Sequence, residues 1–150
     1  MIKIKYLKHQ FKIKKENNTE LIFDAYRKRW IVLTPEEWVR QNILQYITEV
    51  KKYPAALIAI EKEIFLGELK KRCDIVVYNQ NALPWMIIEC KEMNVQLTAK
   101  VLDQILRYHI TLSVKYLVIT NGSYCFGFEK KDGQFYEINE MPQYGNFFNS

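Results

Sequence analysis

Leu83-Pro84-Trp85-Met86-Ile87-Ile88-Glu89-Cys90-Lys91 is an apolar run that stops at a carboxylate and an amine two residues apart. Strand side chains alternate between faces. This stretch is therefore expected to carry Trp85, Ile87, Glu89 and Lys91 on one face and Met86, Ile88 and Cys90 on the other. Charges set directly after such a run are costly to bury unless they are paired, hydrated or bound to a metal. The end of this strand is where chemistry is expected, and the segments on either side of it decide the fold.

Upstream, Cys73 to Tyr78 is rich in β-branched residues and closes at the turn-forming Asn79-Gln80-Asn81. Leu57 to Phe65 reads as another strand, turning at Gly67. The turns are short, so these two and the opening strand form an antiparallel meander. Downstream, Val101, Leu102, Ile105, His109 and Leu112 recur at helical period, predicting a helix from about Thr98 to Leu112. A right-handed crossover through that helix would leave the apolar stretch Lys115 to Thr120 parallel to the opening strand. Asn121-Gly122 then turns the chain into an antiparallel strand over Tyr124 to Phe128, and Lys131-Asp132-Gly133 starts a hairpin into Gln134 to Ile138.

Closer to the N terminus, Thr34-Pro35-Glu36-Glu37 is a helix start: Thr34 caps, proline takes the first helical position and Glu37 is placed for a capping box. That helix is expected to reach about Val50. Ile2 to Ile13 and Leu21 to Phe23, separated by Glu16-Asn17-Asn18-Thr19, fit a hairpin, and Trp30 to Leu33 a short extended segment. The expectation is an α/β protein: a central mixed sheet, made of the antiparallel meander and a parallel strand after the crossover helix, flanked by helices and extended by an N-terminal β-hairpin. It is expected to form one domain, with the hairpin extension at 1–33, the core at 34–128 and a C-terminal hairpin and tail at 129–150. The tail from Glu140 has no periodicity and is expected to be poorly ordered.

With 150 residues, 49% of them hydrophobic, the chain can bury one substantial core. No apolar stretch approaches the roughly 18 to 20 residues of a membrane helix, and the lysine-studded start lacks a secretory signal, so a cytoplasmic protein is expected. Cys73, Cys90 and Cys125 are odd in number and widely spaced, which predicts reduced thiols rather than a disulfide framework or a paired zinc motif. The charge is uneven. Residues 1 to 30 carry nine Lys or Arg against three acids, a net of +6, so the remainder of a chain of net charge +5 sums to −1. A basic N-terminal region suits an anionic polymer such as nucleic acid, or equally an edge hairpin kept soluble by lysines.

Glu-x-Lys occurs four times, at Glu49/Lys51, Glu68/Lys70, Glu89/Lys91 and Glu129/Lys131, so context must choose among them. Only Glu89/Lys91 ends a long apolar strand, follows a strand bearing an acid among apolar residues (Asp74) and precedes a crossover helix. If those strands are neighbours, Asp74 and Glu89 reach one cation, with the Cys90 backbone carbonyl and water completing its shell. Oxygen ligands of this kind favour magnesium, or manganese, over zinc. The alternative is ordinary ion pairing, of Asp74 with Arg72 or Lys71 and of Glu89 with Lys91.

Gln104 and Tyr108 stand four apart on one face of the crossover helix. The series Asp74, Glu89-x-Lys91, Gln104-x-x-x-Tyr108 resembles the PD-(D/E)XK nuclease superfamily, in particular its RecB-like branch, and with it the restriction-endonuclease-like fold. Thr34-Pro35-Glu36-Glu37-Trp38-Val39-Arg40-Gln41, together with Lys71-Arg72-Cys73-Asp74, looks like the nuclease domain at the N terminus of type I restriction enzyme R subunits. The likeness covers roughly Arg27 to Phe128. One departure is that the eponymous Pro-Asp is Cys73-Asp74 here.

The resemblance implies Asp74 and Glu89 as metal ligands with the Cys90 carbonyl, Lys91 as the catalytic lysine, and Glu37 as a helix carboxylate facing the same metal directly or through water. It implies Gln104, Tyr108, Arg72 and Arg40 as nucleic-acid contacts. His109, Trp38 and Trp85 read as packing residues. The implied function is a magnesium-dependent DNA endonuclease of a restriction-modification system, partnered by a separate translocase or restriction-complex subunit, with a homodimer suited to cutting both strands. The alternative is a weakly active or inactive module that uses the same fold to bind nucleic acid or a protein partner.

Overall fold

The computed structural model describes residues 1–145, so the last five residues of the tail expected to be poorly ordered lie outside the described residues. The elements in chain order are β1 (Ile2–Lys3), β2 (Ile13–Glu16), β3 (Thr19–Asp24), β4 (Arg29–Val32), α1 (Pro35–Glu49), β5 (Ile58–Leu66), β6 (Leu69–Tyr78), β7 (Pro84–Cys90), α2 (Ala99–His109), β8 (Tyr116–Thr120), β9 (Tyr124–Lys131) and β10 (Gln134–Ile138). A seven-stranded mixed sheet runs β1-β9-β8-β7-β6-β5, with β10 also on β9, and β2-β3-β4 form a separate antiparallel sheet.

β5, β6 and β7 are the expected antiparallel meander, and β8 returns parallel to β7 after α2, with Ile87 opposite Leu117 and Cys90 opposite Thr120. This is the α/β architecture predicted from the sequence. The N terminus departs from expectation. The hairpin is made by β2 and β3 and continued by β4, whereas Ile2–Lys3 leaves it to pair with Cys125 and Tyr124 of β9. Ile2 buries its side chain in the main core, which a strand of the exposed β2 sheet would not offer it.

Burial on both faces explains why β7 is a continuous apolar run. On one face α1 lays Val39, Ile43, Leu44 and Ile47 over Ile75, Val77, Met86 and Ile88. On the other, Val101, Leu102, Ile105 and Leu106 of α2 cover Val76, Ile87, Leu117 and Ile119. Each fully buried side chain of this kind contributes on the order of 1.5–3 kcal/mol. Trp85 corrects the expected alternation. The β6–β7 register jumps from Val77–Met86 to Tyr78–Pro84, so Trp85 is an extra residue and joins the α1-side cluster with Met86 rather than the face of Ile87.

Both helices start where their capping residues are. Thr34 Oγ1 accepts from Glu37 N at 3.0 Å, and Thr98 Oγ1 from Val101 N at 3.3 Å. The tight β8–β9 connection depends on Gly122: its φ is +92°, and a Cβ there would lie 3.1 Å from a methyl of Val39 on α1. Among the described residues no helix is long and apolar enough to cross a membrane.

Candidate active site

The β6–β7 ladder ends at Ile75–Ile88, one residue short of Asp74 and Glu89. Where the strands part, Asp74 replaces the missing backbone partner: its Oδ2 accepts from Cys90 N at 2.7 Å. The Asp74 and Glu89 carboxyls are crowded at this strand end, so the charge of Glu89 disfavours ionisation of Asp74. Asp74 is accordingly raised to about 7, first by burial and then by the charge of Glu89. Burial also raises Glu89, against the pull of the Lys91 charge. Lys91 follows directly on β7, half-buried, with its backbone N donating to Thr120 O at 2.8 Å. The expected trio of Asp74, Glu89 and Lys91 is thus gathered at one strand end.

The ion pairs offered as an alternative are not the ones formed. Arg72 lies 3.3 Å from Glu61 and is 65% exposed, while Lys71 sits 3.9 Å from the centre of the Tyr108 ring. The cation within reach of Asp74 is instead Arg40 Nη2, at 3.5 Å. Beside Glu89 Oε1, at 2.9 Å, is the His109 Nε2, but burial and then Lys71 lower that imidazole to about 4, so it carries no charge at neutral pH. The contact also lacks hydrogen-bond geometry: Glu89 Oε1 and His109 Nδ1 are both buried without a hydrogen-bond partner.

Glu37 stands on the far side of Arg40. It completes only half of a capping box, because its backbone N is capped while its carboxylate turns inward. Oε1 accepts from Arg27 Nη2 at 2.8 Å and Arg40 Nη1 at 3.0 Å, and Oε2 from Gln41 Nε2 at 3.1 Å. Arg27 also holds Asp24, and both arginines reach Glu61, at 3.5 and 3.2 Å. Asp24 is fully buried; burial pushes its carboxyl up, but hydrogen bonds from the Arg27 backbone and side chain outweigh this and hold it below the usual range.

Arg40, expected among the nucleic-acid contacts, is 4% exposed and committed to these carboxylates. Gln104 and Tyr108 are exposed, and the residue that α2 sends into the site is the adjacent His109. Arg27, Glu61 and His109 are thus the neighbours that sequence reading did not place here. Spacing gave no hint of the first two, which lie 34 residues apart; His109 was visible only as an apolar-face helix position.

The chemistry of the donors suits a hard divalent cation. Two carboxyls with an excess of negative charge, one bearing an orphaned buried oxygen, lie beside a backbone carbonyl and a lysine. A comparison with protein families finds that the model of the type I restriction enzyme R protein N terminus matches residues 35–142. The match begins later and ends later than the Arg27 to Phe128 likeness, taking in β10. No curated protein matches the chain.

Proposed function

From a chain that belongs to the family of the type I restriction enzyme R protein N terminus, we propose a magnesium-dependent DNA endonuclease domain of the PD-(D/E)XK kind, acting within a restriction-modification complex. The observation that carries the reading is the Asp74–Glu89 pair, two crowded carboxyls at the point where β6 and β7 part, with Lys91 next in line.

Asp74, Glu89 and the Cys90 carbonyl would hold the ion, magnesium or manganese. The bound ion supplies an acidified water and neutralises charge on a phosphate. The chain does the rest. The Cys90 N–H fixes the Asp74 carboxylate in rotation. Arg40, gripped by Glu37 and Glu61, stands behind Asp74 and favours its ionised form; Glu37 is a positioning residue in this scheme. Lys91 sets a positive charge beside Glu89, where it stabilises the extra negative charge of a phosphodiester under attack. Gln104 and Tyr108, exposed on α2 with Lys71 over the Tyr108 ring, and exposed Arg72 on β6 would contact the DNA backbone. DNA, a translocase-bearing subunit of the same complex and a second copy for double-strand cutting are the partners this reading requires, in a cytoplasmic setting.

Incubation of wild type, Asp74→Ala and Lys91→Ala with plasmid and single-stranded DNA, in magnesium, manganese or EDTA, tests it. Cleavage by the wild type only with metal, reduced at least about 100-fold in either variant, is expected. Undiminished cleavage by either variant would overturn the assignment.

A further inference from the structure

Glu89 also has neighbours other than Asp74. On the α2 side of the sheet, the Cys73 thiol, a Glu89 carboxylate oxygen and a ring nitrogen of His109 all lie within 4.8 Å of one another. Cys73 and His109 are 0% and 1% exposed, and Glu89 is the more accessible of the three, with 15% of its side chain exposed. A buried imidazole ordinarily donates its N–H to some acceptor. His109 Nδ1 has none, and Glu89 Oε1 is buried without a hydrogen bond although the His109 Nε2 is 2.9 Å away. Three different ligand types therefore converge on one point with their polar atoms unspent.

We infer that Cys73, Glu89 and His109 form a second metal site, of the zinc class, which shares Glu89 with the carboxylate pair and adds a thiol and an imidazole. Thiolate and imidazole are weak partners for magnesium and strong ones for zinc. Three protein ligands with one open position is a common zinc arrangement. Zinc entering from the Glu89 side releases the Cys73 thiol proton to solvent and binds the thiolate. Cys73 is on β6, Glu89 on β7 and His109 at the end of α2, so the ion clips the crossover helix to the two strands whose ladder opens at the active site. The wide cysteine spacing hides such a site from the sequence, because only the fold brings the ligands together.

The site shares Glu89 with the nuclease reading but does not rest on nuclease activity, and it is tested by binding and stability. Metal-free protein is dialysed against zinc, with cobalt as a spectroscopic probe of thiolate ligation, and its unfolding is followed with and without zinc. One zinc per chain, a cobalt–thiolate absorption band and a rise in unfolding midpoint with zinc are expected in the wild type and in Asp74→Asn. Cys73→Ala should lose the band, and both Cys73→Ala and His109→Gln should bind zinc at least about 10-fold more weakly. The absence of zinc binding by the wild type, or zinc binding that survives Cys73→Ala but is lost in Asp74→Asn, would overturn the inference; the second result would put zinc in the carboxylate pair instead.

Discussion

Two groups of acids flank Arg40 and are treated in opposite ways. On the α1 side, Asp24, Glu37 and Glu61 are met by three guanidiniums, Arg27, Arg40 and Arg72, at distances that include 2.8, 3.0 and 3.3 Å. On the β7 side, Asp74 and Glu89 receive one guanidinium contact of 3.5 Å and an uncharged imidazole. The first group is neutralised and holds β3, α1 and β5 together. The second is left short of positive charge. Chemistry of the same residue types thus separates into a structural cluster and a candidate cation site, and the charge balance, rather than burial alone, distinguishes them.

The largest effect should come from breaking the satisfied side. Arg40→Ala removes a buried partner from Glu37 and from Asp74 at once, and should cost about 3–5 kcal/mol, the range for stranding a buried charge, read by urea unfolding. Arg27→Ala should fall in the same range for Asp24 and Glu37. A loss under about 1 kcal/mol in both variants would show that the network is a solvated surface feature.

A smaller effect of opposite sign is expected on the deficient side. Asp74→Asn keeps an acceptor for Cys90 N and removes one of two crowded carboxyls, so without divalent metal it should stabilise the protein by roughly 1–2 kcal/mol above pH 7. The sign follows from the raised value of about 7. A carboxyl raised in the folded state contributes stability below its unfolded value, near 4, and loses it as pH climbs through 7. The advantage of the variant should therefore fade as pH falls from about 7 to about 4. Asp24 runs the other way, since its folded value is depressed: its stabilisation holds above the unfolded value and disappears as acid protonates it. Urea unfolding of wild type, Asp74→Asn and Asp24→Asn across that range separates the two.

The smallest effect concerns the helix that links the groups. Thr34→Ala removes the oxygen capping Glu37 N and should cost about 1 kcal/mol, while Lys91→Ala, half-buried at the edge of the second group, should move stability by less than about 0.5 kcal/mol. Thermal unfolding measures both.

Much of this fold is legible in the sequence because its signals are local. The β5–β6–β7 meander, the cap at Thr34, the helix start near Thr98, the crossover and the parallel β8 all follow from period, turn residues and short connections. Three features are not local. Ile2–Lys3 pairs with β9 across more than a hundred residues, and two residues carry no period. The extra residue at Trp85 arises from a register jump that only the pairing reveals. The Arg27–Glu37–Arg40–Glu61 network joins charges from β5, α1 and the β3–β4 turn, and any of them read alone is an ordinary surface charge. The same holds at the site: Asp74, Glu89 and Lys91 are visible from strand ends, but His109 and Cys73 join them only through the packing of α2 on the sheet.

The contrast between the two groups is tested most directly by adding the missing charge. Unfolding of wild type and Asp74→Asn is measured in EDTA and then with millimolar magnesium or manganese. Metal is expected to raise the midpoint of the wild type and leave Asp74→Asn unmoved, closing the gap between them, because the ion offsets the crowded charge of the Asp74–Glu89 pair. An equal shift in both proteins, or none in the wild type, would contradict a cation site built on Asp74 and Glu89.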